Sequence, residues 1–152
     1  MPGHFLDTSA LVKLYHAEIG TDVVERIVSA TDHTVRISRL AATELTSAFA
    51  IKVRTQSITR ENASLFLRQF REDIATGQLE MFSIAESEFA VAESLAERYA
   101  FDFRLRALDA LQLAVALALR RQNLVEHFVA ADIVLCEVAQ LEGFSAINPE
   151  RS

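Results

Sequence analysis

The sequence contains only one cysteine and two prolines among its 152 residues. A single cysteine, Cys136, excludes an intramolecular disulfide and fits a reducing compartment, so we expect a cytoplasmic protein. The cysteine lies in an apolar helical register, which favours a small buried side chain over a nucleophile. Because Pro2 and Pro149 stand near the two ends, no proline-rich linker divides the chain. With 51% hydrophobic residues, the sequence predicts a single domain over residues 1–152 with a full core.

Long hydrophobic runs are absent as well. Charged residues interrupt every apolar stretch well before the roughly 18 residues that a membrane-spanning helix needs. The first residues also lack a basic region followed by a long apolar run. We therefore expect neither a signal peptide nor a membrane span.

Lysine is scarce, since only Lys13 and Lys52 occur among the 15 basic residues and the rest are arginines. The net charge of −6 argues at first sight against a nucleic-acid partner. Arginine, however, binds phosphate better than lysine does, because its planar guanidinium group can donate two hydrogen bonds to one phosphate. In addition, carboxylates that hold a metal ion do not count as free surface charge. The acidic balance therefore does not exclude a nucleic acid.

Short apolar segments alternate with segments of helical periodicity along the whole chain. Strands are predicted at Phe5–Leu6, Val35–Ser38, Leu79–Ile84, His127–Ala131 and Phe144–Ile147. The later helices are predicted at Leu40–Lys52, Thr59–Gly77, Glu86–Tyr99, Ala107–Arg121 and Ile133–Leu141. Strands that alternate with helices need crossover connections, so we expect an α/β fold whose mostly parallel sheet is covered on both faces.

Asp7 lies at the turn between the first strand and the first helix. It either caps the helix, as Asp, Thr and Ser commonly do, or points into a ligand site. The second interpretation follows from its position, because ligands of open α/β sheets bind outside the carboxyl ends of the strands. Asp132 follows the strand His127–Ala131 in the same way, and the same two interpretations apply to it.

Two further acids stand in apolar helical segments. Glu44 is either a solvated mid-helix residue, as most glutamates are, or an acid within an apolar stripe. The second interpretation follows because Glu44 shares a helix face with Leu40, Ala48 and Ile51, where an unpaired buried carboxylate would be costly. Asp109 and Gln112 are the only polar residues between positions 107 and 119, in a helix that is apolar on every side and therefore buried. Compensation of the helix dipole would explain an acid in the first turn, but not its apolar surroundings.

Four acids at one edge of a sheet would repel one another unless a cation lay between them. Carboxylate oxygens favour a hard divalent ion, Mg²⁺ or Mn²⁺. Zinc is not expected, because the histidines show no spacing typical of zinc ligands; they are His4, His16, His33 and His127. The sequence thus predicts a metal site formed by Asp7, Glu44, Asp109 and Asp132.

These motifs together resemble the PIN domain family, and more narrowly its VapC-type ribonuclease toxins. The similarity runs from Phe5 to Pro149 through FLDTSALVKLY, ATEL around Glu44, LRALDALQLA around Asp109, FVAAD, LEGF and NP. It implies a three-layer α/β/α fold and an endoribonuclease that uses Mg²⁺ or Mn²⁺. It also implies a cognate antitoxin as partner and a homodimer.

The resemblance assigns roles to individual residues. Asp7, Glu44, Asp109 and Asp132 would be the acidic quartet, and Ser9 the hydroxyl that lines the same pocket. We expect Asp7 and Asp109 to be direct ligands of the metal ion, and Glu44 to be a ligand or a base that orients the attacking water. Independently of the resemblance, Arg104 and Arg106 precede Asp109 and Arg39 precedes Glu44. These arginines either hold the RNA backbone or are ordinary surface charge. One departure concerns Asp132, because Ala130 stands where many relatives carry Ser or Thr.

Other functions fit the sequence less well. A haloacid-dehalogenase-type phosphatase would require a second Asp two residues after Asp7, where this chain has Ser9. A stand-alone RNA-processing nuclease or a non-catalytic interaction module with the same fold stays open.

A second apolar stripe, on the helix that carries Glu44 and on the next helix, is either core or a groove for an amphipathic antitoxin segment. That stripe consists of Leu45, Phe49 and Val53, with Leu65, Phe66 and Phe70 on the next helix.

Overall fold

The computed structural model describes residues 3–30, 32 and 34–151, so Pro2 and His33 lie outside the described residues. The described residues form five strands, each close to a predicted one. The strands are β1 (Gly3–Leu6), β2 (Thr34–Ser38), β3 (Glu80–Phe82), β4 (His127–Val129) and β5 (Ser145–Ile147). The helices are α1 (Thr8–Tyr15), α2 (Thr21–Ser29), α3 (Leu40–Arg54), α4 (Arg60–Ala75), α5 (Glu86–Tyr99), α6 (Ala107–Arg121) and α7 (Ile133–Leu141).

The strands form one sheet in the order β3-β2-β1-β4-β5, and every neighbouring pair is parallel. Strand β1 is therefore central, with Phe5 paired to Arg36 of β2 and to Phe128 of β4. Because parallel strands share one carboxyl edge, the turns after β1, β2 and β4 meet on the same side of the molecule. This topology brings residues 7, 39 and 132 to that edge.

Alternating side chains of the central strands supply two separate cores. Phe5 and Phe128 stack at 5.6 Å between ring centroids and pack with α5, α6 and α7. Leu6 and Val129 point the other way and pack with α1 to α4. Helices thus cover both faces of the sheet, which confirms the predicted three-layer α/β/α fold.

Helix α6 is buried along most of its length, as its apolar sequence predicts, and it includes Asp109 at 8% exposure and Gln112 at 0%. Burial in such a helix removes polar side chains from water, so these side chains need hydrogen bonds from other protein groups.

Among the residues that the structure describes, no helix combines the length and the apolar character needed to cross a membrane.

Helix α3 differs from prediction in which of its faces is buried. The buried residues are Ala41, Leu45 and Phe49, whereas Ile51, on the face of Glu44, is 49% exposed. The expectation that Glu44 lies within a buried apolar stripe is therefore wrong. Leu45 and Phe70 of the proposed antitoxin groove are core residues, and the open part of the second stripe is smaller than its sequence suggests.

Candidate functional site

Asp7 follows β1 directly, and its side chain is buried at 5% exposure. Its backbone N–H continues the parallel ladder by donating to the Val129 carbonyl at 2.9 Å. The carboxylate caps α1, since Oδ2 accepts from the Ser9 N–H at 3.1 Å and from Ser9 Oγ at 2.6 Å. The helix-cap interpretation is thus correct as far as it goes, but an exposed residue would serve that role equally well.

Ser9 connects the turn after β1 with the turn after β4. Its hydroxyl donates to Asp7 and accepts from the Ala131 N–H at 3.0 Å. One side chain therefore holds the first acid and the segment immediately before Asp132. The structure places Ser9 beside Asp7, and the bond of Ser9 to Ala131 has no signal in the sequence.

Asp109 and Asp132 lie on either side of one guanidinium group. Arg106 Nε is 3.3 Å from Asp109 Oδ2, and Arg106 Nη2 is 3.6 Å from Asp132 Oδ2. Asp109 also accepts from the Arg106 N–H at 3.4 Å, and Asp132 caps α7 by accepting from the Leu135 N–H at 3.0 Å. The structure thus brings the third and fourth predicted acids together through a residue that the sequence suggested only as a phosphate contact.

Glu44 is held by two residues that sequence reasoning did not assign to the site. Thr8 Oγ1 donates to Glu44 Oε1 at 2.8 Å, and Gln112 Nε2 donates to the same oxygen at 2.7 Å. Because Thr8 is adjacent to Asp7, this network places Glu44 beside the first acid. The signal for Gln112 was its isolation in an apolar helix, whereas Thr8 resembled an ordinary residue of a helix start.

The electrostatics of these side chains show an excess of negative charge. Burial raises the pKa of the Asp7 carboxyl to about 7, against its hydrogen bonds with Ser9, and the charges of Asp109 and Glu44 raise the pKa further. Burial also raises the pKa of Asp109, and the Arg106 guanidinium only partly opposes this. Perturbed carboxylates of this kind are concentrated at functional sites. We call Asp7, Glu44, Asp109 and Asp132 the acid cluster.

Cys136 lies beside this cluster without the properties of a nucleophile. Its Sγ donates to the Ala130 carbonyl at 3.2 Å, and the side chain is 8% exposed. Burial, together with the charges of Asp132 and Asp7, raises the pKa of the thiol to about 11. A thiolate is the nucleophilic form, so this cysteine is a packing residue, as its apolar register suggests.

The family model of the PIN domain matches residues 4–141. The chain belongs to the PIN domain family. The matched segment includes all four residues of the acid cluster and every strand except β5 and part of β1. A comparison with curated proteins found no match to this sequence.

Solved structures of similar fold cover almost the whole PIN domain chain. VapC20 of Mycobacterium tuberculosis, described as a toxin that cleaves the sarcin–ricin loop, is 16% identical with a TM-score of 0.66, over 95% of this chain and 97% of the other. VapBC2 of Rickettsia felis, bound to a promoter DNA fragment, is 18% identical with a TM-score of 0.61 over 95% and 97%. FitAcB of Neisseria gonorrhoeae is 16% identical with a TM-score of 0.63 over 98% and 99%. At these identities the similarity is one of fold.

The acid cluster fits a hard divalent cation by its chemistry. Its donors are all carboxylate oxygens, and its most buried member is disfavoured as an anion by burial and by neighbouring charges. In the arrangement described for residues 3–30, 32 and 34–151, no three His, Cys, Asp or Glu side chains are placed to hold a metal ion together. Arg106, which lies between Asp109 and Asp132, supplies the positive charge there.

Exposed arginines lie in the turn after β2 and in the segment before α6, next to residues of the acid cluster. Arg39 follows β2, Arg104 precedes α6, and the Arg106 side chain is 68% exposed despite its contacts with two acids. A long exposed arginine keeps donors available to solvent. The edge thus combines buried anions with exposed cations.

Proposed function

We propose that this PIN domain protein is a cytoplasmic, divalent-metal-dependent endoribonuclease and the toxin of a toxin–antitoxin pair. The observation that carries the proposal is the buried Asp7 carboxylate, whose pKa is raised to about 7 at the carboxyl edge of the central strand. Burial and the neighbouring acids disfavour the negative charge of Asp7, and a cation bound by these acids would compensate for that charge. Membership of the PIN family supports the nuclease activity, and the toxins among the solved neighbours support the biological role.

The acids have distinct parts in the proposed reaction. Asp7 and Asp109 would hold the cation, Glu44 would bind it or orient the attacking water, and Asp132 would complete the negative pocket. A bound divalent cation lowers the pKa of water and neutralises charge at a phosphate undergoing in-line displacement. Ser9 keeps Asp7 in place and fixes the adjoining turn through Ala131. Carboxylate oxygens of the acid cluster would thus provide the ligands for the cation in this chemistry.

We propose that the exposed arginines near the acid cluster bind the RNA backbone. Arg39, Arg104 and Arg106 can each form charge-assisted hydrogen bonds with phosphate oxygens around the pocket. Such contacts position a strand without reading its sequence. We propose single-stranded RNA as the substrate class, and these contacts predict no preference for its sequence.

The direct test is cleavage of single-stranded RNA by the purified protein, with Mg²⁺ or Mn²⁺ and with chelator. We expect cleavage only with metal, and an activity well over tenfold lower in Asp7→Asn, because catalysis depends on the cation that Asp7 holds. Asp22→Asn is the matched control, since Asp22 is exposed on α2 and pairs only with Arg26 at 3.8 Å in the described chain. Wild-type cleavage by Asp7→Asn would refute the assignment.

Absence of cleavage by the wild-type protein under all these conditions would favour a non-catalytic PIN domain. Cleavage without any inhibitory partner would favour a stand-alone RNA-processing enzyme. The toxin proposal expects a small open reading frame immediately upstream of the gene, whose product co-purifies with this protein and suppresses cleavage.

The proposed antitoxin surface is the groove between α3 and α4. Its volume is about 360 Å³, and Phe49, Val53 and Leu67 line it together with Arg54 and Arg60. The neighbours include a toxin–antitoxin complex from Klebsiella pneumoniae, 16% identical with a TM-score of 0.60 over 96% of this chain and 97% of the other. An amphipathic segment that carries acids beside its apolar residues would complement this groove.

Val53→Arg tests the groove better than a change at Phe49, which is only 1% exposed and supports the core. We expect Val53→Arg to fold, to keep RNA cleavage and to lose most of its affinity for the antitoxin. Tight antitoxin binding by the folded variant would remove the groove from the proposal. We also propose a homodimer, which light scattering of the purified protein checks independently.

A further inference from the structure

The side chain of Gln112 is fully buried in α6, one turn after Asp109. Its Nε2 donates to Glu44 Oε1 at 2.7 Å and to Thr8 Oγ1 at 3.1 Å. Thr8 Oγ1 in turn donates to the same Glu44 oxygen at 2.8 Å. Three side chains therefore form one closed network that links the start of α1 with α3 and α6.

Packing alone does not account for a glutamine at this position. The neighbouring residues of α6 are apolar, and burial of an amide is unfavourable unless hydrogen bonds replace those to water. Gln112 Nε2 has two such bonds, whereas Gln112 Oε1 is buried with no hydrogen-bond partner in the described part of the chain. Turning the amide over would bring Oε1 against an oxygen of Glu44, so that two acceptors would face each other. The amide therefore has the orientation that binds Glu44, and its own acceptor stays unpaired.

The two carboxylate oxygens of Glu44 differ in the hydrogen bonds that they accept. Both donors, Thr8 Oγ1 and Gln112 Nε2, end on Oε1. A carboxylate oxygen has about two acceptor positions, so these two bonds occupy Oε1 fully. Oε2 accepts no hydrogen bond from the residues that the structure describes. The carboxylate is thus fixed through one oxygen, and its other oxygen remains available to a ligand.

We propose that Gln112 and Thr8 are positioning residues that hold Glu44 through Oε1, so that Oε2 is the oxygen that contacts the cation or the attacking water. This inference rests on the proposed function, because it names the residues that orient one member of the acid cluster. Groups that hold a ligating carboxylate fix its direction, and their loss typically weakens metal binding about 10- to 100-fold.

The test compares four variants of the full-length protein for binding of Mn²⁺ alone, measured by titration calorimetry. Thr8→Val removes the hydroxyl at nearly constant shape, and Thr8→Ser keeps it. Gln112→Met removes the amide at similar length. Leu113→Met is the control, because it changes the packing of a fully buried neighbour in α6 that belongs to the apolar core. Thermal unfolding of each variant in chelator reports the structural contribution separately.

We expect Thr8→Val and Gln112→Met each to bind Mn²⁺ about tenfold more weakly. Thr8→Ser and Leu113→Met should keep the wild-type affinity within about threefold, because neither removes a donor to Glu44. In RNA cleavage, kcat should fall in the first two variants while KM for RNA stays unchanged. A positioning role predicts this division, since the substrate contacts themselves are intact.

Wild-type Mn²⁺ affinity in both Thr8→Val and Gln112→Met would overturn the inference, however far their melting temperatures fall, because the network would then be structural only. If Gln112→Met does not fold, the difference between Thr8→Val and Thr8→Ser decides alone. A wild-type protein that binds Mn²⁺ and cleaves RNA, with variants that bind equally well, refutes this inference only. A wild-type protein that does neither refutes the proposed function and this inference together.

Discussion

Two groups of charged side chains in this PIN domain, each built around a buried member, differ in their balance of positive and negative charge. In the first, Lys13 is 2% exposed and lies 3.1 Å from Glu18 and 2.6 Å from Glu150, while Lys52 lies 3.2 Å from Glu18. This lysine cluster has two positive and two negative members. The acid cluster has four carboxylates, and the cation in contact with it is Arg106.

The pKa values follow this difference. In the lysine cluster burial alone would raise the pKa of Glu18, but the hydrogen bonds and charges of Lys13 and Lys52 lower it below its usual value. In the acid cluster burial raises the pKa of Asp7 to about 7, and the neighbouring acids add to the effect. Charges of opposite sign offset one another in the lysine cluster, whereas the negative charge of the acid cluster is only partly offset by Arg106, as is typical of a ligand-binding site. Four changes test this contrast.

The largest expected effect is the pH dependence of stability at Asp7. The pKa of Asp7 in the folded protein, about 7, lies above its ordinary value of 3.8, so the folded state binds the proton more tightly than the unfolded state does. The free energy of unfolding should therefore fall as pH rises from about 4 to 7. A pKa difference of this size corresponds to about 4 kcal/mol, as an order of magnitude. Asp7→Asn should remove this loss.

Urea denaturation in chelator between pH 4 and 8 measures the effect. Near pH 4 the variant and the wild type should be similar in stability, since Asp7 is protonated and Asn can also cap α1. Near pH 8 the variant should be more stable by a few kcal/mol. A difference that does not change with pH would show that the folded protein tolerates the Asp7 charge.

A smaller effect is expected at the centre of the lysine cluster. Lys13→Met removes two charge-assisted hydrogen bonds, to Glu18 and Glu150, whose side chains are 29% and 42% exposed and can be partly solvated again. We expect a loss of about 2 kcal/mol in the free energy of unfolding. Cleavage of RNA per folded molecule should not change. A fully stable Lys13→Met variant would contradict the structural role of this cluster.

The smallest effect on the free energy of unfolding is expected at Lys52, the more exposed lysine of the lysine cluster. Within the described part of the chain, the Lys52 side chain bonds one partner, Glu18, at 3.2 Å, and it is 22% exposed. Lys52→Met should cost about 0.2–1 kcal/mol, and the loss should shrink in 1 M salt because exposed charges are screened. A loss as large as that of Lys13→Met would mean that the two lysines act as one buried unit.

Much of the fold was predictable because each strand coincides with a short, largely apolar segment and most helices show a helical period of apolar residues. The positions of Asp7 and Asp132 followed from the same pattern, since Asp7 comes directly after β1 and Asp132 lies three residues after the end of β4. The buried face of α3 was not predictable, because residues on both faces are apolar. Ile51 and Phe49 look equivalent in the sequence, and only packing against α4 and the sheet buries the second.

The supporting residues of the site depend on contacts between distant parts of the chain. The Ser9 bond to Ala131 joins two turns that lie 122 residues apart, and the Gln112 bond to Thr8 spans 104 residues. The bridge formed by Arg106 depends on how the start of α6 meets the start of α7. Local periodicity contains no information about such distances, so these partners emerge only from the folded chain.

The most direct test of a shared cation site is the thermal stability of wild type and Asp109→Asn, each in chelator and with Mn²⁺. Because burial raises the pKa of Asp109, the variant should melt at or above the wild type in chelator. Mn²⁺ at a hundredfold excess over Kd should stabilise the wild type by about 2.7 kcal/mol and the variant by much less. A variant that is less stable than wild type in chelator but gains equally from Mn²⁺ would contradict the shared site.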